Sequence, residues 1–351
     1  MLYANIREFK FLSEFDELEI SAVNAIPLDT VHGVVQIVHG LCEHKEMYFP
    51  FMDYLAEQGF ITVISDNRGH GQSICAPDDL GYMFQNGGEG LVSDLAQLNK
   101  FIKQAWNNIP VFIIAHGLGS VAARRFIAQP DTDINGLIIS GCPCYSSFTS
   151  IVRCIDSVAA KKPGSRFRSD KICGVVESCL GASFDDEVPN SWRCSDPDVV
   201  ERFNGDPLCS FKPTMNCYEE LLGLTRRAYS KTESTSADLS LPIRFLSGKD
   251  DPCMLSEKKF FKNIKLLEKN GCESISHRLF DGMRHDIIFE KNNAVVWKDI
   301  AKTLFSWVDR YNDSHEVSKQ NKAIRAFKER NKYGYQQNTC KGIRTKTGTG
   351  G

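Results

Sequence analysis

The stretch Val111-Phe-Ile-Ile-Ala115-His116-Gly117-Leu118-Gly119-Ser120 decides the fold, because it holds a strand, a sharp turn and the start of a helix. Its first five residues are apolar, which predicts a buried strand. The two glycines supply the turn, and residues 121–129 have the pattern of a helix that stops at Pro130. A strand followed at once by a tight turn and a helix is typical of a parallel α/β sheet.

The tip of this turn is where a catalytic nucleophile is expected. In the G-x-S-x-G nucleophile elbow, the central serine holds its hydroxyl clear of the sheet. The matching frame here is Ala115-His-Gly-Leu-Gly119, so Gly117 stands at the tip and offers no hydroxyl, thiol or carboxylate. The sequence therefore predicts the framework of a nucleophilic enzyme that lacks its nucleophile.

The remainder of the chain repeats the alternation of strands and helices. Residues 7–26 alternate apolar and polar side chains, which predicts an antiparallel hairpin at a sheet edge. The alternation predicts the α/β class, with a mostly parallel central sheet flanked by helices. Further strands are predicted at residues 33–39, 60–65, 135–140, 241–248 and 274–280, and helices at about residues 47–58, 90–106, 256–270 and 293–311.

The strand–helix rhythm divides the chain into four parts. Residues 1–142 and 241–311 form the two halves of the sheet domain. Residues 143–240 show no clean strand and are rich in Ser, Cys, Asp and Pro, so we predict an inserted helical cap. Residues 312–351 are polar and basic and are predicted to form a partly disordered tail. A solvated tail is favoured over a patch that binds nucleic acid or anionic lipid.

Composition limits the classes of function. The chain has 351 residues, of which 42% are hydrophobic and 25% charged, and its formal net charge is −2. These values are ordinary for a globular protein and do not indicate nucleic-acid binding. The sequence shows neither a signal peptide nor an apolar run that could cross a bilayer. Thirteen scattered cysteines, with Cys142-Pro-Cys144 as the only close pair, predict reduced thiols, a cytoplasmic location and no zinc site.

Two loops after predicted strands offer an acid and a base. Gly248-Lys-Asp-Asp-Pro252 places a carboxylate at the end of a strand, and we prefer Asp251 to Asp250 as the acid. The alternative is that these carboxylates only cap the following helix. His285 follows the next strand and is the expected general base. The order nucleophile position, acid, histidine is the order of a catalytic triad on a parallel α/β sheet.

A third loop offers donors for an oxyanion. His39-Gly-Leu41 follows a predicted strand, and the backbone amides of Leu41 and Leu118 are the candidate donors. His39, His44 and Glu43 together could instead bind a metal ion. We favour a hydrogen-bonded loop, so the sequence predicts neither a metal nor a cofactor.

Several separated motifs resemble one family over about residues 7–311. They are His39-Gly-Leu-Cys-Glu-His44, Asp66-Asn-Arg-Gly-His-Gly-Gln-Ser73, the turn at Gly117 with Ala123-Arg-Arg125 beyond it, Gly248-Lys-Asp-Asp-Pro252 and Gly282-Met-Arg-His285. The chain is similar to the monoacylglycerol lipase and lysophospholipase branch of the α/β-hydrolases, which is described as serine aminopeptidase S33-like.

The resemblance implies an α/β-hydrolase fold and hydrolysis of acylglycerols, lysophospholipids or related esters through an acyl-enzyme. It assigns Asp251 and His285 to the triad and Leu41 and Leu118 to the oxyanion hole, and it implies no metal or organic cofactor. The expected partner is a small acyl ester or a lysolipid, with peripheral lipid contact possible and no oligomeric state indicated. The family pattern also places serine at position 117, and there this sequence departs from it.

Glycine at position 117 removes the attacking oxygen but suits a strained turn, so the fold should persist and even be slightly stabilised. Oxyanion donors and binding alone leave roughly 10³–10⁴-fold acceleration over water. Ser120 is predicted to point elsewhere, and neither Cys42 nor Cys142 has the geometry of the turn. A replacement nucleophile is therefore not expected.

Three interpretations follow. The first is an ester hydrolase framework in which glycine has replaced serine, and the retention of Asp251, His285 and the 39–41 loop favours it. The second is a natural pseudoenzyme that binds a small acyl ligand under the cap. The third is an aminopeptidase-type hydrolase, which needs carboxylates in the cap to hold a substrate amine. The candidates are Asp185, Asp186, Glu187, Asp196 and Asp198.

Overall fold

A computed structural model of the chain describes residues 1–130, 132–144, 166–184, 188–230 and 238–338, the last 22 of them as backbone only. The chain divides into two compact units, Met1–Phe305 and Ser306–Gly351. All the side chains discussed below belong to the first unit.

The described residues form one eight-stranded sheet in the order β1-β2-β4-β3-β5-β6-β7-β8. Its first two strands pair antiparallel at one edge, and β2 joins β4 antiparallel. From β4 to β8 every neighbouring pair is parallel, which confirms the predicted sheet and its edge hairpin. The strands are β1 Ala4–Leu12, β2 Glu19–Pro27, β3 Gly33–Val38, β4 Phe60–Ser65, β5 Val111–His116, β6 Gly136–Ser140, β7 Ile243–Gly248 and β8 Ile275–Phe280.

Helices flank the sheet, and hydroxyl side chains begin several of them. Ser169, Thr214 and Ser256 each accept a hydrogen bond from the backbone amide three residues on, as N-cap residues do. The α-helices of the described residues are α1 Phe49–Glu57, α2 Gly87–Ala105, α3 Gly117–Ile127, α4 Asp170–Gly181, α5 Pro197–Gly205, α6 Met215–Ala228, α7 Glu257–Lys269 and α8 Asn293–Asn338.

Three of these helices, α4, α5 and α6, lie between β6 and β7 in the chain. The described residues of this segment, 166–184 and 188–230, contain no strand and are called the insertion below. Its last helix, α6, packs against α2 and α3, so the insertion is anchored to the sheet domain.

The final helix is longer than the sequence patterns indicated. The prediction ended it at about Tyr311, whereas α8 runs to Asn338, so the predicted end is wrong. Residues 312–338 contain no proline and many Lys, Arg, Glu, Gln and Ala residues, which propagate a helix without forming an apolar stripe. Residues 339–351 of the predicted tail lie outside the described residues.

Parallel strands bring the predicted site loops together. The carboxyl ends of β3, β5, β7 and β8 lie at one edge of the sheet, where ligands bind in α/β proteins. Close approach of α3 to β3 depends on Gly119, because a Cβ at that position would lie 2.3 Å from the carbonyl oxygen of Val38.

Candidate active site

The turn between β5 and α3 places Gly117 at the tip with φ +50°, in the left-handed region that favours glycine. A Cβ built on Gly117 would lie 3.4 Å from both Gly40 Cα and His285 Nε2. Both distances are ordinary van der Waals contacts, so the site has room for a side chain at position 117. Any such side chain would begin beside the ring nitrogen of His285.

His285 is paired with Asp251. Its Nδ1 lies 3.0 Å from Asp251 Oδ1, and both side chains are buried. The same carboxylate accepts hydrogen bonds from the Cys253 amide at 2.8 Å and the Ser247 hydroxyl at 3.1 Å. Asp251 therefore caps the short helix that follows it and also orients His285. The neighbouring Asp250 is exposed.

The loop after β3 contributes to the same cavity as His285. Leu41 and Leu118 line the same cavity as Gly117 and His285. Leu118 is the second residue of α3, and the first four amides of a helix have no acceptor within it. In the loop, the Gly40 amide donates to Glu43 Oε2 at 2.7 Å. Leu41 and Leu118 thus both lie in the cavity wall together with Gly117.

A buried network of charged groups surrounds the site, and the sequence patterns did not identify it. His116 Nε2 lies 3.0 Å from Asp286 Oδ1 and 3.5 Å from Glu43 Oε1. Arg193, from the insertion, places Nη1 3.3 Å from Asp286 Oδ2 and 3.5 Å from Glu43 Oε1. His116 and Asp286 are the sequence neighbours of the predicted residues Gly117 and His285, and this adjacency could have identified them as residues near the site. Arg193 has no such signal, because it lies in the insertion.

The charged neighbours shift the pKa values of two members of this network. Burial lowers the pKa of the His116 imidazole, but Glu43 and Asp286 outweigh burial and raise that pKa above its ordinary value. Burial raises the pKa of the Asp286 carboxyl, but the Arg193 guanidinium and His116 hold it well below its usual range. We therefore assign an ionised carboxylate to Asp286, beside the Arg193 guanidinium.

The side chains considered as substitute nucleophiles are engaged elsewhere or unreactive. The Ser120 hydroxyl donates to the Gly117 carbonyl oxygen at 2.5 Å. Burial raises the pKa of the Cys42 thiol to about 12, so it is not a ready thiolate. Cys142 lies 3.3 Å from the hydroxyl of Tyr229 and is buried.

Among the described residues, His39, Glu43 and His44 do not form a common cluster of metal ligands. His39 accepts from the Asn67 amide at 2.8 Å, whereas His44 bonds to Glu46 at 2.6 Å and to Asp206 at 2.9 Å. Within the part of the chain that the structure describes, no cluster of potential metal ligands contains either His39 or Glu43.

A cavity of about 470 Å³ opens at Gly117 and His285. The insertion supplies most of its wall, and the lining is largely apolar. The wall residues from outside the insertion include Leu41, Leu118, Pro143, Pro252 and Leu255. Those from the insertion include Val176, Leu180, Trp192, Phe203, Phe211, Tyr218, Leu221 and Leu222.

Of the described residues, two with carboxylates line the cavity, and both carboxylates have protein partners. Glu177 accepts from the Asn190 amide at 2.6 Å and from Trp192 Nε1 at 3.1 Å, and Asp170 pairs with Lys212 at 2.5 Å. Of the five acidic residues considered for binding an amine, Asp185, Asp186 and Glu187 lie outside the described residues. The other two, Asp196 and Asp198, are not in the cavity wall.

Comparison with solved structures identifies the class of fold. A lipase in its open form aligns with a TM-score of 0.76 and 22% identity, over 88% of this chain and 99% of that one. A soluble variant of monoglyceride lipase from Saccharomyces cerevisiae, in complex with a substrate analogue, aligns with a TM-score of 0.66 and 18% identity. That match covers 88% of this chain and 96% of the yeast chain. The protein has the α/β-hydrolase fold, as predicted.

Sequence comparison identifies the family. The family described as serine aminopeptidase, S33, matches residues 29–292, and the chain belongs to it. Phospholipase YtpA of Bacillus subtilis (strain 168) is 24% identical over 281 residues, which are 80% of this chain and 96% of YtpA. Monoglyceride lipase of Rattus norvegicus is 21% identical over 293 residues, or 83% of this chain and 86% of the rat protein. These relatives are ester-hydrolysing enzymes, so the family prediction is confirmed.

No helix among the described residues is both long enough and apolar enough to pass through a bilayer.

Proposed function

We propose that the chain is the framework of a serine hydrolase for single-chain acyl esters such as monoacylglycerols and lysophospholipids. In this proposal, position 117 is the site of the nucleophile, His285 is the general base and Asp251 orients it. The amides of Leu41 and Leu118 form the oxyanion hole. Because residue 117 is glycine, this form binds its ligand but carries out almost no acyl transfer.

One observation carries the proposal. A Cβ at position 117 would lie 3.4 Å from His285 Nε2, while His285 Nδ1 lies 3.0 Å from Asp251. A hydroxyl attached to that Cβ can rotate into hydrogen-bond distance of Nε2, which is the geometry that activates a nucleophile. The geometry of base and acid therefore suits a residue that this chain does not contain.

With serine at position 117, the steps follow from the geometry. His285 Nε2 would take the hydroxyl proton as Oγ attacks the ester carbonyl, and Asp251 would stabilise the imidazolium. The carbonyl oxygen would gain negative charge between the amides of Leu41 and Leu118. The imidazolium would protonate the leaving alcohol, and His285 would then deprotonate the water that releases the acid from the acyl-enzyme.

The cavity favours an acyl ester over a peptide. Its lining is largely apolar and its volume of about 470 Å³ falls within the about 300–1,000 Å³ typical of small-molecule sites. A substrate amine needs an available carboxylate, but Glu177 and Asp170 are already bonded to protein groups. The relatives named phospholipase and monoglyceride lipase support the same substrate class.

A second candidate function is a binding protein for small acyl ligands. It rests on Gly117 itself, because the cavity is present in a chain that has no side chain at that position. In that function His285 and Asp251 would only contribute to the wall of the cavity.

The experiment compares this chain with Gly117→Ser and with Gly117→Ala, which adds the Cβ without the oxygen. Hydrolysis of a short-chain p-nitrophenyl ester and of a monoacylglycerol is measured for all three. We expect Gly117→Ser alone to gain turnover, by at least about 10³-fold, because the nucleophile accounts for most of a triad's rate. Inert Gly117→Ser would favour the binding protein. Enzyme-like turnover by the glycine form would refute the assignment of position 117.

A further inference from the structure

The guanidinium of Arg193 comes from the insertion yet lies buried beneath the loop of residues 39–43 on the sheet domain. We propose that Arg193 is a positioning residue through which the insertion sets the conformation of this loop, here called the oxyanion loop. The proposal rests on the function proposed above for the Leu41 amide, and it assigns Arg193 no contact with the reacting atoms.

The contacts of Arg193 reach two parts of the site. Its Nη2 donates to the Leu41 carbonyl oxygen at 2.7 Å, and Nη1 lies 3.3 Å from Asp286 Oδ2. The guanidinium lies 4.8 Å from the ring centroid of Trp192 and 4.2 Å from that of Phe203. Stacking and hydrogen bonds together hold the planar guanidinium in one orientation. The ammonium of a lysine at this position would not keep that orientation, because it is a compact charge on a flexible side chain.

The backbone of the oxyanion loop requires such support. Cys42 has φ +59°, a conformation that is costly for a residue with a side chain and persists only where its surroundings impose it. On one side of Leu41, the Gly40 carbonyl oxygen lies 2.8 Å from His39 Nδ1. Since the peptide is planar and trans, that bond also fixes the direction of the Leu41 amide. On the other side, Arg193 holds the Leu41 carbonyl, so both peptide groups that flank Leu41 are fixed.

Arg193 is itself tied to the loop of the general base. The Asp286 amide donates to the Arg193 carbonyl oxygen at 2.6 Å, and Asp286 directly follows His285. The neighbouring Trp192 is held by Glu177 of α4 at 3.1 Å. A displacement of α4 would therefore be transmitted through the segment Ser191–Arg193 to the oxyanion loop and to His285.

The first test needs no activity. Hydrogen exchange of peptides covering residues 39–44 is measured in this chain, in Arg193→Lys and in Arg193→Met. The control is Arg244→Lys, because Arg244 also forms a two-pronged pair, with Asp299 at 2.8–3.0 Å, but does not line the cavity. We expect exchange in the loop to be faster by about tenfold or more in Arg193→Lys and unchanged in the control, since a charged hydrogen bond is lost. Unchanged exchange in a folded Arg193→Lys would overturn the proposal.

The second test uses the Gly117→Ser form and the p-nitrophenyl ester. We expect Arg193→Lys to lower kcat by about 10²-fold with little change in KM, because a misplaced oxyanion donor affects the transition state and not the bound ester. An unchanged kcat in an active enzyme would overturn the proposal. If Gly117→Ser is inert, the proposed function fails, and the exchange experiment still decides whether Arg193 positions the loop. Arg193→Met removes the charge as well and shows by its melting temperature how much the ion pairs stabilise the fold.

Discussion

Replacing Gly117 should lower the free energy of unfolding. The structure separates three contributions to this change, which are backbone strain, steric contact of the new Cβ and, for serine, a hydrogen bond to His285. The residue has φ +50°, which costs about 1–2 kcal/mol for a residue with a Cβ. The Cβ itself would meet only ordinary contacts, at 3.4 Å from Gly40 and His285, so no steric term is added. We expect Gly117→Ala to destabilise the protein by about 1–2 kcal/mol. In Gly117→Ser, a hydrogen bond to His285 offsets about 0.5–1.5 kcal/mol of that cost.

Two other glycines provide controls for this reasoning. Gly282 has φ +68° and nothing within 4 Å of its Cβ position, so Gly282→Ala measures backbone strain alone. At Gly119 a Cβ would lie 2.3 Å from the Val38 carbonyl oxygen, so Gly119→Ala adds a clash with backbone that cannot move aside. The expected order of destabilisation is Gly119→Ala first, then Gly117→Ala and Gly282→Ala at similar values, then Gly117→Ser.

The assay is unfolding in urea, with midpoints compared at a common slope. If Gly117→Ala destabilises the protein far more than Gly282→Ala, the space inferred beside His285 does not exist. If Gly117→Ser is less stable than Gly117→Ala, the serine hydroxyl does not bond to His285, and the proposed activation of the nucleophile loses its geometric basis.

Two further outcomes are expected from the acid and from one histidine. In the Gly117→Ser form, Asp251→Asn should lower kcat by about 10⁴-fold because the imidazole loses its orienting carboxylate. Asp250→Asn changes an exposed residue and should leave kcat unchanged. Steady-state kinetics on the p-nitrophenyl ester distinguish the two variants. Burial lowers the pKa of His44, but its bonds to Glu46 and Asp206 outweigh burial and raise that pKa above 6.5. Protonation of His44 therefore stabilises the fold below about pH 6.5, and this contribution is lost as pH rises through the raised pKa. The free energy of unfolding, measured in urea at several pH values, should decline over that range, and His44→Gln should remove the decline.

Much of the fold could be predicted because local patterns and the parallel topology agree. The strand patterns before Gly117, Lys249 and Asp281 predict strands whose carboxyl ends meet, and the loops that follow them carry the candidate residues. The end of α8 could not be predicted from amphipathicity, because its distal part has helix-forming residues without an apolar stripe.

The residues that support the site were less accessible to sequence reasoning. Glu43 was considered only as a metal ligand, yet it accepts from the Gly40 amide and from the Tyr48 hydroxyl, each at 2.7 Å. Arg193 lies 150 residues from Glu43 in the chain, and its insertion has no strand pattern to place it. Contacts of this kind arise from tertiary packing, and a single sequence holds no periodic signal for them.

The contrast between these supporting residues and His285 is our reason for favouring a hydrolase framework. Glu43 and Asp286 both pair with Arg193 in the interior, and loss of one partner from such a group costs about 3–5 kcal/mol, so these residues contribute to folding whatever the cavity does. His285 is different, because Asp251 already has partners in the Cys253 amide and the Ser247 hydroxyl. What the imidazole adds is a base whose Nε2 would lie 3.4 Å from a Cβ at position 117. An apolar cavity that only binds acyl chains needs neither that base nor its orientation, whereas ester hydrolysis needs both.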